Sequence, residues 1–541
     1  MSMKACLAAL CAAMLLAGWG GASAQPNADF KVGASKVYIT PSADALLKGY
    51  DGIIGPIFVR AVIQENSSAK AALVAADVGV MAAPRENSLK ATDANYARKR
   101  ADRAKSGILN IDLSRNGPDQ AASVPDVAID PLDPKHIMAV WRTIAMPSEP
   151  NVKAPRPLVC HMAVSRDGGA SFSGNAIDWA MSDTPICNAP YVDFGADGAL
   201  YVGATLVELG PLNPPEGYRA FGRAVIRKSA DGGRTWQPTQ SVIASDSLEL
   251  GRFAPNPSVP DAAKRTPWDG ARGIVNRSNG DIYVAGGYPA PPGGDAHSQR
   301  FYSVSHDGGK TWGAIRAMGS ADWPQRWDSR IVAAPGEMAM AYVAGAAPGI
   351  GKQLCVVFAT TTDGVTLKRT LVAKIGHVDT LVHYPPLAAD QNRPGVFAVA
   401  LVSDDRTGLT LFASSDNGTT WSETGPVPMP AGVTRVSRPA VAYTVDGALV
   451  AMWRGGHADG RFDVYMAAAP DGRHFHAPLR VTSASSRAPE KLAADYAVRG
   501  DFLNVMKIDT EFAHAVWTDW RTGDTARIVY GRVPLSLLQD R

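Results

Sequence analysis

The 541-residue chain carries 54 Lys and Arg against 51 Asp and Glu, so no field of one sign favours nucleic acid or an anionic membrane surface. Apolar residues make up 46% of it, which provides for a sizeable core and excludes global disorder. Its 52 glycines and 39 prolines suit many short strands joined by turns.

Residues 1–24 read as a signal peptide. Lys4 supplies the positive start, Ala5 to Leu16 an apolar stretch, and Ala22-Ser23-Ala24 an A-x-A cleavage site before Gln25. No later stretch reaches the ~18 apolar residues of a membrane span. The mature chain is therefore expected in the periplasm or outside the cell, where disulfides persist. Cys6 and Cys11 leave with the leader, and Cys160, Cys187 and Cys355 remain: at most one bridge and one free thiol.

Residues 25–85 form a β-rich extension. Val32 to Pro41, Lys48-Gly-Tyr50, Phe58 to Val62 and Ala72 to Asp77 resemble the opening strands of neutral ceramidases over about fifty residues. That resemblance implies zinc-binding histidines after the Asp77 strand, and no His-x-His segment follows it. The one such pair, His474-x-His476, lies far downstream in a turn, and zinc needs a third protein ligand. No metal or other cofactor is expected. Residues 86–106 are charged and Ala-rich, including Ala97-Arg-Lys-Arg-Ala-Asp-Arg-Ala-Lys105, and read as a solvated linker.

From residue 107 to 541 the chain repeats itself. Ser165-Arg-Asp167-Gly-Gly169-Ala-Ser-Phe172 returns as Ser229 to Trp236, Ser305 to Trp312 and Ser414 to Trp421, with degenerate copies at Thr361-Thr-Asp363-Gly364 and Asp471 to Phe475. Ser and Asp side chains bond nearby backbone groups, Gly takes the positive φ of a tight turn, and the closing ring packs between neighbouring strands. This S-x-D-x-G-x-x-[WF] signature resembles the Asp box of sialidase-like β-propellers. The repeated role at different places makes the box aspartates turn-formers rather than catalysts.

Four strand-like runs surround each box. First strands begin near Val124, Tyr191, Arg272, Arg330, Pro386, Pro439 and Phe502, which gives seven starts for six boxes. The last set stops after three strands, and Ile108 to Leu113 is a suitable donor for its missing outer strand. The expected fold is thus an all-β propeller of seven four-stranded blades, with six, the sialidase number, as the alternative.

In such a meander the short turns and boxes lie on one face. The long segments Arg142 to Leu158, Val207 to Gly222, Ser245 to Asp269 and Gly286 to Arg300 lie on the other, where binding groups concentrate. Inner strands enter from that face through polar residues: Asp126, Tyr191 to Asp193, Asp269 to Arg272, Asp328 to Arg330, His383-Tyr384, Ser437-Arg438 and Arg499 to Asp501. Arg272, Arg330 and Arg438 are candidates for gripping one carboxylate, Asp269 and Asp328 for general acid or base, and Tyr384 for a nucleophile. Likeness to sialidases implies such an arginine triad with an Asp and a Tyr/Glu pair. However, residues 108 to 164 hold no Arg-Ile-Pro triplet, and no Glu is identified beside Tyr384.

Two functions follow. One is recognition of a carbohydrate or similar polar ligand, extending to sialidase-like glycoside hydrolysis; the other is a non-catalytic binding or assembly propeller. A ceramidase-related amidohydrolase lacks its histidines. A disulfide is expected between Cys160, which opens the third strand of blade 1, and Cys187, which precedes the first strand of blade 2.

Overall fold

A computed structural model describes residues 31–38, 58–65, 70–77, 107–116, 119–145, 158–179, 186–211, 218–244, 269–288, 299–376, 385–487, 504–523 and 525–539. The proposed leader, the whole of the linker and Lys48-Gly-Tyr50 lie outside these residues. The chain divides into two compact units, Met1–Tyr96 and Ala97–Arg541. In the first, Lys31–Tyr38, Phe58–Glu65 and Lys70–Asp77 pair as an antiparallel meander in unbroken register.

The second unit is a seven-bladed β-propeller. Each blade is a four-stranded antiparallel sheet, and six of them run in simple chain order. The seventh takes three strands from the C-terminal end, Asn504–Ile508, Phe512–Asp519 and Arg527–Pro534, and its fourth from Leu109–Asp112. Leu109 pairs with Arg532 and Asp112 with Val529, and the Asp112 carboxylate meets Arg527 Nη1 at 3.0 Å. The only described helix is the short Ser536–Gln539 turn. No described helix is long and apolar enough to cross a membrane.

The core lies between blades rather than within them. Seven apolar clusters among the described residues are each shared by two adjacent blades. The one that closes the ring joins Val516, Ile528 and Tyr530 of blade 7 to Val127, Ile137 and Trp141 of blade 1.

The Ser-x-Asp-x-Gly turns form as their chemistry dictates. In blade 1, the Ser165 hydroxyl donates to Asp167 (2.8 Å) and accepts the Gly169 amide (2.8 Å), while Asp167 accepts the Ser171 amide and hydroxyl at 2.9 and 2.6 Å. Blades 2, 3 and 5 repeat this geometry at Asp231, Asp307 and Asp416. The closing ring reaches further than expected, into the preceding blade. Phe172 stands edge-on to Tyr530 of blade 7 at 4.7 Å, and Trp421 meets Phe358 of blade 4 at 5.1 Å. The glycine two residues after the Asp makes room for the same partner: a Cβ on Gly169 would lie 1.9 Å from the Tyr530 hydroxyl, and one on Gly418 2.2 Å from Phe358.

These hydrogen bonds set an acid limit. Bonds from the hydroxyl and amide of Thr235 hold Asp231 well below the usual carboxylate range, Thr311 does the same for Asp307, and Thr420 pulls Asp416 to about 2. A lowered folded pKa contributes stability above the unfolded value of about 3.9 and loses it as pH falls toward the folded one. Thermal melts should therefore hold steady down to about pH 5 and fall below about pH 4. Asp231→Asn combined with Asp307→Asn should flatten that fall, and an unchanged slope would refute the role given to the turns.

Cys160 and Cys187 form the expected disulfide, with Cα atoms 5.6 Å apart. It ties the third strand of blade 1, Leu158–Ser165, to the first strand of blade 2, Ile186–Phe194, and contributes roughly 3 kcal/mol by loop closure. Cys355 is the free cysteine and is buried, its thiol pushed up to about 11. Much of one expected long segment is strand. Val207–Pro211 and Tyr218–Gly222 continue the second and third strands of blade 2, which pair without a break from Leu200↔Ser229 to Pro211↔Tyr218. The sequence offers no breaker before Gly210-Pro211, so the ladder runs on.

Candidate functional site

The inner strands of the seven blades surround an axial channel that encloses a cavity of about 270 Å³. Their register makes corresponding positions comparable. Counted from Ile137, Leu200, Ile282, Met338, Leu449 and Ala513 at the turn ends of the second strands, Asp126, Tyr191, Arg272, Arg330, Ala440 and Val505 each pair with the fourth residue: Val140, Gly203, Ala285, Ala341, Met452 and Val516. Three charged residues thus stand at one level on blades 1, 3 and 4. Asp126, Arg272 and Arg330 all line the cavity, joined by Lys507 of blade 7.

Asp126 is fixed at both oxygens. Oδ1 accepts the Val127 amide (2.9 Å) and Oδ2 the Val192 amide of blade 2 (3.2 Å). Burial pushes its carboxyl above the usual range, while Lys507, Arg272 and the two amides pull the other way. The Arg272 Nη1 group donates to its neighbour's carbonyl, Ala271 O, at 2.7 Å. Toward the turn face, Asp193 accepts the Val275 amide of blade 3 (2.9 Å). There Arg277 donates to the carbonyls of Phe194 and Ile129. These last contacts stitch blades together, so part of the channel's polarity is structural. Even so, the lining holds four cations, Arg272, Arg277, Arg330 and Lys507, against the two carboxylates of Asp126 and Asp193.

Arg272 and Arg330 border the channel, but Arg438 is 4% exposed and does not line the cavity. It stands two positions earlier in the register, at a bulge with φ 52°, where its carbonyl accepts the Asn504 Nδ2 group (2.9 Å). The same bulge gives positive φ at Val124, Ala189 and Gly270 in blades 1, 2 and 3. Residues at this step leave the strand's regular alternation, so the bulge sets them apart from the level of Arg272 and Arg330. Asp269 pairs with Gly287 at the start of the blade 3 inner strand, and Asp328 lies at the irregular start of the blade 4 strand. Their side chains, and all of Tyr384, fall outside the described residues. Lys507 was missed. Its signal is a lysine inside an otherwise apolar inner strand, Asn504-Val-Met-Lys-Ile508.

No family model matches the chain. It is 26% identical over 207 residues to a xyloglucanase of a Paenibacillus species, covering 36% of this chain and 18% of that protein, so it spans under a fifth of that relative's length. Among solved structures, a Hadza microbial sialidase aligns with TM-score 0.40 and 13% identity over 74% of this chain and 77% of its own. The α-L-arabinanase of Penicillium chrysogenum aligns with TM-score 0.42 and 11% identity, over 79% and 98% of the two chains.

Proposed function

We propose that this is an exported binding propeller whose axial channel takes a carbohydrate bearing an anionic group. The observation that carries this reading is the meeting of Arg272, Arg330 and Lys507, from three blades, in one cavity with an Asp126 carboxyl held by backbone amides. Guanidinium groups suit a carboxylate because they present paired donors, and a low-dielectric channel strengthens the contact. Stretch similarity to a xyloglucanase supports carbohydrate as the ligand class. Export is supported by the Cys160–Cys187 bridge.

Binding is preferred to sialidase-like hydrolysis on a specific ground. Hydrolysis needs a mobile proton on a free acid and a nucleophile. Both oxygens of Asp126 are already engaged by amides, and Arg438 does not join the other two arginines at the cavity. Asp269, Asp328 and Tyr384 stay as candidates for the hydrolytic reading.

Calorimetric titration of the full chain with glucuronate, N-acetylneuraminate and glucose tests the proposal. The acidic sugars should bind, and glucose should bind far more weakly. Arg272→Ala or Arg330→Ala should each weaken the acidic sugar about 10- to 100-fold, the range expected for one charged hydrogen-bonding group. Equal affinity for acidic and neutral sugars, or unchanged affinity in both arginine variants, would overturn it.

A further inference from the structure

The repeats provide an internal comparison that singles out one tryptophan. Three box tryptophans occupy the same position in blades 2, 3 and 5. The Trp312 indole donates to Gln240 Oε1 at 3.3 Å, and the Trp421 indole donates to Gly418 O at 3.1 Å. The indole N–H of Trp236 meets no acceptor among the described residues, and its ring is only partly buried. It borders a groove of about 260 Å³ between the outer parts of blades 1 and 2, almost the volume of the axial cavity.

The groove's other groups are polar and face solvent. Asn175 sits on the outer strand Ser173–Ala176, every residue of which is exposed, and its amide has no partner among the described residues. Arg234 is exposed with its guanidinium likewise unpaired, and Asp178 is exposed on the same wall. Arg227 closes the inner side, its guanidinium 5.9 Å from the Trp236 ring and donating to Gln237 O at 2.9 Å.

We infer that this groove is a second saccharide site, one that takes a neutral hexose unit of a polysaccharide. A sugar ring offers C–H faces to an indole, and hydroxyls that both donate and accept. Trp236 supplies the aromatic surface and a spare N–H, the Asn175 amide donates and accepts, Arg234 donates, and Asp178 accepts. An indole at this position would otherwise be expected to bond within the protein, as its two counterparts do. The site stands whether or not the axial channel binds an acidic sugar.

The full chain should be slowed in native gels cast with at least one of soluble xyloglucan, galactomannan or hydroxyethylcellulose. Asn175→Ala and Arg234→Ala, both at exposed side chains, should each cut the retardation constant about fivefold, the value of one lost hydrogen bond. Arg272→Ala should leave it unchanged, which separates this site from the channel. Trp236→Phe, which keeps a ring but removes the N–H, should weaken it by a similar factor. Absence of retardation in all three gels overturns the proposal, as does wild-type retardation of both the Asn175 and Arg234 variants.

Discussion

Removal of residues 107–113 should abolish the folded propeller: the soluble protein should lose its cooperative melt or aggregate on expression. Leu109–Asp112 is the outer strand of blade 7, paired to Val529 through Arg532, and the hydrogen bonds of this ladder close the ring between the two ends of the propeller. Without it, the strand Arg527–Pro534 becomes an unpaired edge, open to association with other chains. Buried contacts go as well. Ile108 is part of the blade 6–7 cluster and Leu113 of the blade 7–1 cluster, so two of the seven interfaces lose apolar cover at once. Burial of two aliphatic side chains alone contributes about 3–6 kcal/mol. Marginal stability of about 5–15 kcal/mol leaves little beyond that loss. A truncated chain that melts within a few degrees of wild type would show that the ring does not depend on this closure.

Gly273→Ala should cost about 3 kcal/mol although it adds one methyl group, because the site is already filled. Tyr191, 1% exposed, runs from the blade 2 inner strand and donates its hydroxyl to Val225 O at 2.9 Å. A Cβ on Gly273 would lie 2.1 Å from Cε2 of that ring, and the other atoms it meets also belong to Tyr191. The substitution must push the ring off its hydrogen bond or shift the blade 3 inner strand. In a Tyr191→Leu background the same change should cost less than about 1 kcal/mol, since the smaller side chain leaves room for the methyl group. Denaturant melts of the four chains in this cycle give the coupling directly. Additive losses would show that Gly273 is needed for its own backbone and not for the ring. As Gly273 follows Arg272, the single variant should also weaken ligand binding in the channel, by displacing the strand that carries the arginine.

How much of this was legible in the residues varies with the range of the interaction. The box turns were fully readable, because Ser165, Asp167 and Gly169 satisfy one another within five positions and need nothing from elsewhere. Seven blades followed from counting first strands. The donor strand followed from an unpaired edge that had to be covered. The Cys160–Cys187 pairing followed from placing both residues at the same end of neighbouring blades. Local chemistry and repetition determined all of these.

The tertiary structure decided the rest. Whether an inner-strand residue faces the channel depends on a one- or two-residue bulge, and the sequence marks those bulges only weakly. Arg272, Arg330 and Arg438 look alike as strand-entry arginines, yet the φ of 52° at Arg438 removes it from the level shared by the other two. Lys507 reads as an interruption in an apolar strand and becomes a channel cation only when the ring closes around it. Trp236, Trp312 and Trp421 are equivalent in the repeat, but Gln240 bonds the Trp312 indole and Thr370 the Trp421 indole from the preceding blade, which no local pattern specifies. Sequence alone determined the architecture, since turns and blade repeats arise from near neighbours along the chain. Its folded form alone decided the channel and the groove, because each is built from side chains that different blades bring together.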